Sequence, residues 1–138
     1  MIVFFNKLSH AYEAYCRPLC RELNLNQTAF DILMFLANNP SYHTARDITL
    51  YRGIKANLVS FTVEKLVREG YLDRYPVPED RRKVGLICTE KADPIVRRGR
   101  KLQKAFTDAT VKNMKETDLQ TFFRYLSIIE QNIDKLNQ

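Results

Sequence analysis

The stretch PVPEDRRKVGLICTEK, residues 76–91, concentrates the side chains whose types and spacing could bind a charged partner. An acid pair is followed directly by three basic residues, Arg81, Arg82 and Lys83. Guanidinium groups form paired hydrogen bonds with phosphate and carboxylate oxygens. Basic side chains at the tip of a small hairpin are therefore candidates for contact with a polyanion. The alternative is a soluble charged turn.

The positive charge of the chain is concentrated in its middle. The 138 residues carry 22 Lys/Arg and 16 Asp/Glu, a net charge of +6. Residues 41–105 hold 15 of the basic and 8 of the acidic residues, a net of +7, whereas the flanking residues have a net of −1. This asymmetry suggests a polyanionic partner that meets one part of the molecule, although a solvated basic surface would give the same pattern.

No residue pattern typical of an enzyme or a metal site is present. The sequence contains no Gly-rich phosphate loop, nucleophile elbow or zinc spacing, and His10 and His43 lie too far apart to suggest a metal motif. The chain has an odd number of cysteines, and their spacing is not that of metal ligands: Cys16, Cys20 and Cys88. We therefore expect reduced thiols in a cytoplasmic protein. The N-terminal apolar run is too short for a signal peptide or membrane span. We therefore expect no enzymatic activity, no cofactor, no metal and no membrane partner.

The elements that must position the basic stretch follow from apolar periodicity, which predicts a mainly helical chain. The predicted helices cover residues 2–22, 26–38, 45–52, a segment that ends at Gly70, about 93–115, and a last segment from about Thr117. Thr44 and Asp47 have the spacing of a capping box, with Asp in place of the usual Glu or Gln, which predicts the start of the short third helix; Gly53 is expected to end it. Two short helices joined by a tight turn are typical of a helix-turn-helix.

A hairpin and a further helix start follow. Residues 71–75 and 83–88 have the alternating or apolar pattern of strands, with PVPEDRR between them as a charged tip. The prolines of this tip are compatible only with an edge strand or a loop. Asp93 as N-cap and Pro94 at the first helical position predict the start of the long helix.

The first and last helices carry apolar stripes outside the basic segment. Apolar residues in the last helix recur at spacings of 3, 4, 3, 4 and 3, the pattern of helices that pack along a shared seam. We expect these stripes to be buried against a second copy of the chain, although packing within one chain would also explain them. The residues expected at this dimer interface are Phe5, Leu8, Tyr12, Leu119, Phe122, Leu126, Ile129, Ile133 and Leu136.

The stretch GIKANLVSFTVEKLVREGYLDRYPVPEDRRKVGLICTEK resembles the recognition helix and wing of the MarR family of winged-helix transcription regulators. The matching residues are Gly53, Val59, Ser60, Val63, Leu66, Glu69 to Leu72, Arg74, Asp80 to Arg82, Leu86 and Thr89 to Lys91. LNLNQTAFDILMFL also fits the second helix of the family. The resemblance implies a mainly α-helical fold with a small β-hairpin wing. The winged helix-turn-helix would span residues 26–92 of a single 138-residue unit, between dimerisation helices over 1–25 and 93–138.

The sequence departs from the family at three positions. Ala92 stands where glycine is usual after Thr-Glu-Lys, and Lys55 stands where serine often opens the recognition helix. Phe61 occupies a position that is often basic. These differences change which bases would be read, so no operator sequence can be transferred from the family.

The recognition helix is expected to enter the major groove with its N-terminal half on the base edges. The side chains expected to face DNA are Lys55, Ala56, Asn57, Ser60, Phe61 and Glu64. Asn57 can pair with adenine, Lys55 can reach guanine or a phosphate, and Ser60 can bond to either. Phe61 can contact a thymine methyl if it is exposed; the alternative is that it packs into the helix bundle.

The wing is expected to add contacts outside the major groove. Arg81 and Arg82 fit the minor groove, where the negative potential is enhanced. Asp80 can orient a neighbouring arginine, and Arg74 and Lys83 are expected on phosphates.

Together these expectations imply a homodimeric transcriptional regulator that binds a pseudo-palindromic site on double-stranded DNA. The resemblance favours a repressor released by a small aromatic ligand bound between the reading heads and the dimer helices, where aromatic residues of the first helix could line a pocket. One alternative is a winged-helix module that binds an acidic protein. Another is a thiol-based redox sensor using Cys16 or Cys20, with Arg17 and Arg21 available to lower the pKa of a thiol.

Overall fold

The computed structural model describes residues 1–138, and the element order confirms the predicted one. The helices are α1 (Ile2–Glu22), α2 (Gln27–Asn38), α3 (Ala45–Asp47, continued by a π-helical turn over Ile48–Arg52), α4 (Ala56–Arg68), α5 (Asp93–Thr110) and α6 (Glu116–Leu136). The strands are β1 (Leu72–Val77) and β2 (Asp80–Cys88), followed by a 3-10 turn over Glu90–Ala92. The chain divides into two compact units, Met1–Gln103 and Lys104–Gln138.

The core of the first unit is built around α2. Seven of the twelve residues of this helix are buried, on nearly all of its sides, which is typical of a helix enclosed by other elements. The residues that pack around it come from α1, α4, the hairpin and the start of α5: Cys16, Leu19, Cys20, Val59, Val63, Leu66, Leu72, Leu86, Ile95 and Val96. Burial of each leucine, valine or phenylalanine contributes roughly 1.5–3 kcal/mol relative to exposure, so α4 and the hairpin are stabilised by the same core as α1 and α2.

The second and third helices each begin at a side-chain cap. The side-chain oxygen of Asn26 accepts a hydrogen bond of 2.8 Å from the backbone N–H of Ala29, which caps α2. At α3 the capping box is reciprocal, because Asp47 N–H donates to Thr44 Oγ1 and Thr44 N–H donates to the Asp47 carboxylate, at 3.1 and 3.0 Å. Such caps satisfy backbone donors that have no partner within the helix.

Gly53 makes the turn between α3 and α4 possible. Its φ of 72° lies in the left-handed region, which costs residues with a Cβ roughly 1–2 kcal/mol. No atom lies within 4 Å of the position that a Cβ would occupy. The backbone conformation, rather than crowding, therefore requires glycine here.

An ion pair joins α2 to the residue that precedes this turn. Arg52 Nη2 lies 2.9 Å from Asp31 Oδ2, and only 11% of the Asp31 side chain is exposed. Gln27 Nε2 donates a second hydrogen bond of 2.9 Å to this carboxylate. Burial raises the pKa of Asp31, and the neighbouring Arg52 guanidinium opposes that rise. The pair thereby sets where the chain leaves α3 and where α4 begins.

The hairpin strands are longer than predicted. β1 and β2 pair antiparallel from Leu72 opposite Cys88 to Val77 opposite Asp80, which leaves only two residues for the turn. Pro76, which was expected on an edge strand or in a loop, lies inside β1. Because a two-stranded sheet consists only of edge strands, the missing N–H of proline removes no bond to a third strand.

The basic triplet lies in an irregularity of this ladder, not at its tip. Pro76 pairs with Val84, but the next residue, Val77, pairs with Asp80. Residues 81–83 therefore have no partners on β1 and form a bulge in β2. Bulges re-aim side chains, and this one presents three consecutive basic residues away from the regular ladder.

The long helix begins at the predicted residue, but not with the predicted N-cap, and it ends earlier than predicted. Asp93 has helical dihedral angles (φ −53°, ψ −44°) and follows a 3-10 turn, so it is not the N-cap that the Asp-Pro pair suggested. Helical hydrogen bonding already starts one turn earlier, where Ala92 N–H donates to Thr89 O. At the other end α5 stops at Thr110 rather than near residue 115, and Asn113 in the following loop has a positive φ of 71°.

Replacing Arg52 with methionine should lower the free energy of unfolding by about 1–2 kcal/mol at pH 7, since a buried carboxylate loses its cation. Without Arg52, the pKa of Asp31 in the folded state should rise further above its unfolded value. A carboxyl with a pKa raised on folding contributes stability below its unfolded pKa that is lost as the pH rises through its folded pKa. The deficit of Arg52→Met, measured by urea unfolding, should therefore shrink as the pH is lowered from 7 to about 4.

Arg52→Lys, which keeps the charge, is the matched control and should lose less stability at pH 7. A deficit of Arg52→Met that is the same at every pH would show that lost packing, and not the ion pair, is responsible.

Candidate nucleic-acid interface

The recognition helix α4 turns its apolar side inward as predicted. Val59, Val63 and Leu66 are buried in the core of the first unit. Thr62, which the sequence analysis did not assign to the core, is also buried and lies on the same side. The opposite side of α4 is thus left for a partner.

All six side chains expected to face DNA are exposed on or just before α4: Lys55, Ala56, Asn57, Ser60, Phe61 and Glu64. The line through Asn57, Phe61 and Glu64 continues one turn further to Arg68, which is exposed as well. Lys65 borders the same face. The helical period alone could have identified both basic residues, so the exposed face is more basic than the sequence analysis proposed.

Phe61 does not pack into the helix bundle. The residue is 69% exposed, in contrast to the buried residues one position after it and two positions before it. Asn57, one turn earlier, accepts a hydrogen bond of 2.9 Å from the backbone N–H of Leu58 through its side-chain oxygen. An apolar ring and a partly oriented amide therefore lie next to each other on the exposed face.

An ion pair joins the recognition helix to the wing. Arg74 Nη2 on β1 lies 2.7 Å from Glu64 Oε2 on α4. Both side chains are largely exposed, so the pair adds at most about 1 kcal/mol to stability. The pair directs the Arg74 guanidinium toward α4. It also neutralises the charge of Glu64, the one acidic residue of α4 that was expected to face DNA.

The wing holds its basic bulge through Asp80. The Asp80 carboxylate accepts from the backbone N–H of Arg82 at 3.0 Å and lies 3.4 Å from Arg82 Nε. The guanidinium end remains free, since 93% of the Arg82 side chain is exposed. Arg81 and Lys83 are exposed on either side of it. Asp80 therefore lies where it can orient an arginine, through one carboxylate oxygen.

The Thr-Glu-Lys segment that follows the wing anchors the C-terminal end of α4. Thr89 Oγ1 donates to Gly70 O at 2.6 Å, and Lys91 Nζ donates to Glu69 O at 2.6 Å. Lys91 Nζ also lies 4.4 Å above the centre of the Tyr71 ring. A cation at a helix C-terminus is favourable because the last carbonyls are unpaired and carry partial negative charge. This segment contributes to the family resemblance in the sequence, but its role in anchoring α4 was not predicted.

The base of the wing is attached to the loop before α3. Leu86 N–H donates to His43 O at 2.7 Å, and the His43 and Tyr75 rings are 5.8 Å apart. A Cβ at Gly85 would lie 2.2 Å from Tyr75 Cζ, so the Tyr75 ring lies directly across its partner strand. His43 is thus part of the support of the wing, and no three His, Cys, Asp or Glu side chains come together as metal ligands.

The cysteines lie in surroundings that suppress thiolate formation. Cys16 and Cys20 are buried, and all three thiols are free. Burial raises the pKa of Cys16, and it raises the pKa of Cys20 and of Cys88 to about 11. Since the thiolate is the reactive species, this geometry does not favour the redox-sensing alternative.

The largest clefts of the first unit are not lined by the aromatic residues of α1. A cleft of about 750 Å³ lies between α1, α2 and the turn before α4, and its polar lining includes Arg17, Arg21, Gln27, Arg52 and Lys55. Tyr12 instead borders a smaller cavity of about 160 Å³.

The apolar stripe of α6 is uncovered in the single chain. Phe122, Leu126, Ile129 and Ile133 are each 47–52% exposed, and no residue of the helix is buried. Leu136 is more exposed and Leu119 is half-buried. No helix of the chain combines the length and the apolar character needed to cross a bilayer.

The first helix is apolar and exposed at its start. Phe5 and Leu8 lie on this exposed part, with Ile2 to Phe4 beside them. Tyr12 differs from the other residues expected at the dimer interface, because it packs against the core of its own unit. Its hydroxyl accepts a hydrogen bond of 2.8 Å from Gln103 Nε2.

Comparison with known proteins agrees with this geometry. A model of the MarR family matches residues 23–83, the segment from the end of α1 to the basic bulge. A search of curated proteins finds no match.

Several solved structures share the fold over nearly the whole chain. One is described as a MarR family transcriptional regulator from Listeria monocytogenes complexed with 26mer DNA; it is 16% identical, with a TM-score of 0.80 over 96% of this chain and 88% of that chain. A MarR transcriptional regulator from Methanosarcina mazei Go1 is 19% identical, with a TM-score of 0.74 over 99% of both chains. The apo form of wild-type MarR from E. coli is 15% identical, with a TM-score of 0.68 over 94% of this chain and 96% of that chain. The chain is thus similar to the MarR family over residues 23–83, and it shares the winged-helix fold of these solved structures.

Proposed function

We propose that this protein is a homodimeric transcriptional repressor that binds a pseudo-palindromic site on double-stranded DNA. The observation that carries the proposal is the exposed polar and basic face of α4, held beside a wing with a basic bulge at residues 81–83. The similar structure from Listeria monocytogenes, which was solved with DNA, supports it.

The recognition helix would lie in the major groove. This groove admits one helix, and the N-terminal residues of the helix reach the base edges. The N-cap residue of α4, Lys55, forms no side-chain cap, so the backbone N–H groups of Ala56 and Asn57 are available to a phosphate, as is the Lys55 ammonium. Asn57 and Ser60 would then meet base edges, while Lys65 and Arg68 follow the backbone further along.

The wing would lie over the adjacent minor groove. Arg81 and Arg82 are the candidates for insertion, because the narrow groove concentrates negative potential and guanidinium groups are weakly hydrated. Lys83 would contact a phosphate. Arg74 would do so only in addition to its bond with Glu64, which makes its contribution to binding smaller than that of the bulge.

The dimer would form through the exposed apolar faces of α1 and α6. Each face is too large and continuous to be left in water at low cost, and two-fold assembly would bury it. Two recognition helices about 34–36 Å apart would then meet successive turns of the major groove on one side of the duplex. Such a dimer on a promoter blocks polymerase without further contacts.

Release of DNA would follow from a small ligand in the cleft between α1, α2 and the start of α4. Its lining contains Arg17, Arg21, Arg52 and Lys55 but only two acids, Glu13 and Asp31. Since Asp31 is already paired with Arg52, a carboxylate ligand would find unpaired cations next to the turn that positions α4. A small aromatic carboxylate therefore suits the cleft better than a neutral phenol.

Arg81→Ala/Arg82→Ala should weaken binding to a preferred duplex by about tenfold or more, since two contacts in the groove are lost. The preferred duplex is first selected from a random library with the unaltered protein, and affinity is then measured by fluorescence anisotropy at two salt concentrations. The slope of log affinity against log salt should become shallower by about 1–2.

Arg97→Ala/Lys101→Ala removes the same charge from exposed positions on α5 and is the matched control. If both pairs weaken binding equally, the loss reflects net charge rather than the wing. Weak binding without sequence preference would instead favour the acidic-protein module.

Leu126→Glu should shift the protein from dimer to monomer, because a charge would be buried in the apolar seam of α6. Sedimentation equilibrium should show the loss directly, and affinity for the selected duplex should fall with it. Gln131→Glu adds the same charge on the other side of α6 and should leave the dimer intact. A Leu126→Glu protein that stays dimeric would contradict the proposed interface.

Binding of a panel of small aromatic carboxylates, with benzoate as the simplest, should be detectable by calorimetry and should lower affinity for the selected duplex. Arg21→Gln should weaken the binding of an active compound severalfold, whereas Arg97→Gln, on α5 and outside the cleft, should not. A compound that releases DNA equally well from both variants would bind elsewhere, and a panel without any effect would leave the repressor constitutive.

A further inference from the structure

The base-reading half of α4 has a composition that favours A·T pairs. Its exposed side chains between residues 55 and 61 are those of Lys55, Ala56, Asn57, Leu58, Ser60 and Phe61. Arginine, the commonest reader of guanine, is absent from these two turns. Glu64 could accept a hydrogen bond from the N4 amino group of cytosine, but its carboxylate is paired with Arg74.

We infer that each half-site contains an adenine read by Asn57 and, within about two base pairs, a thymine whose methyl group is read by Phe61. This inference rests on the proposed function, because it requires α4 to lie in the major groove. It goes further in naming the bases and the atoms that are read.

Asn57 carries the adenine contact through both ends of its amide. Its oxygen accepts one hydrogen bond, from Leu58 N–H at 2.9 Å, which fixes the amide and leaves a second lone pair free. That lone pair can accept a hydrogen bond from the N6 amino group of adenine, while the Asn57 amide N–H donates a hydrogen bond to adenine N7. Guanine presents an acceptor in place of the N6 donor, so it would leave the Asn57 oxygen facing another oxygen.

Phe61 carries the thymine contact because it is apolar and exposed at the centre of this face. The C5 methyl of thymine is the apolar group that the major-groove edge offers. A cytosine or guanine in its place would bring an amino or carbonyl group against the ring, where it would lose water without gaining a partner. The 69% exposure of Phe61 shows that its own chain does not cover this ring.

The spacing of the two side chains fits neighbouring base pairs. Residues four apart on an α-helix are about 6 Å apart along its axis. Base pairs in DNA are stacked about 3.4 Å apart. Asn57 and Phe61 therefore reach pairs that are one or two steps apart, which makes a short A·T-containing core the unit that one subunit reads.

The test replaces single atoms of the DNA. A preferred duplex is selected from a random library with the full chain, and each thymine is then replaced by uracil, which lacks the methyl, and each adenine by 7-deazaadenine, which lacks N7. For one thymine in each half-site, uracil should weaken binding of the unaltered protein about fourfold, the value of one buried methyl group. For one adenine nearby, the deaza base should weaken it by about two- to tenfold.

Each base substitution should lose its effect on affinity in only one of the protein variants. Phe61→Ala should bind the thymine and uracil duplexes equally but keep the 7-deazaadenine penalty. Asn57→Asp keeps the acceptor for Leu58 N–H but loses the donor to N7, so it should show the opposite pattern. Leu58→Ala, which removes an exposed apolar side chain from another side of α4, should keep both penalties.

A selected half-site with G·C pairs at its centre would overturn the inference, and so would a uracil penalty that persists in Phe61→Ala at every thymine. Both results would leave a sequence-specific repressor intact. Failure of the unaltered protein to select any sequence would instead overturn the proposed function, and this inference with it. Circular dichroism of each variant, with Phe61→Leu as a milder change that should retain part of the uracil penalty, separates lost readout from lost folding.

Discussion

The buried ion pair between Asp31 and Arg52 is the interaction on which the position of the recognition helix depends. It joins the central core helix α2 to the last residue before the turn, and the turn is a single left-handed glycine, Gly53. A charge pair of this kind adds little to net stability, since both groups must lose water. It does determine geometry, because a largely buried carboxylate accepts its cation in few orientations. The π-helical turn over Ile48–Arg52 brings the guanidinium to that point.

The other end of α4 is held by different chemistry. Thr89 and Lys91 bond to the carbonyls of Gly70 and Glu69, so the chain that leaves the wing returns to the helix that preceded it. These bonds attach the base of the wing to the C-terminal end of α4. The Glu64–Arg74 pair joins the wing to α4 one to two turns earlier in the helix. Helix and wing thus form one connected surface, which suits simultaneous contact with a major and a minor groove.

Local signals in the sequence predicted much of this fold. Helix starts and ends depend on residues only a few positions apart in the chain. The second and third helices begin at the caps Asn26 and Thr44, and the left-handed glycines Gly53 and Gly70 follow helix ends, as the sequence predicts. The hairpin was predicted less well, because the bulge at residues 81–83 depends on pairing between strands and not on residue type. The N-cap assigned to Asp93 failed for a similar reason: a 3-10 turn that bonds to Thr89 precedes it.

The candidate site shows the same division between local and tertiary information. The exposed face of α4 followed from its period of 3.6 residues, and the same period should have included Arg68. The Glu64–Arg74 pair could not be foreseen, since the two residues belong to different elements whose packing the sequence does not state. The exposure of Phe61 was likewise undecided, because an aromatic residue at the edge of an apolar stripe fits either side.

A DNA-binding protein with this surface would need two subunits to obtain specificity. In the proposed complex the basic bulge and the cations of α4 would supply affinity for any phosphate backbone, which carries no sequence information. One subunit offers few side chains that discriminate bases, and each wrong base pair costs roughly 1–3 kcal/mol. With two or three such contacts, the ratio of specific to non-specific affinity is too small to select one site among many competing sites. Doubling them across a two-fold axis would square that ratio, so in the proposed dimer the apolar faces of α1 and α6 would contribute to sequence recognition without touching DNA.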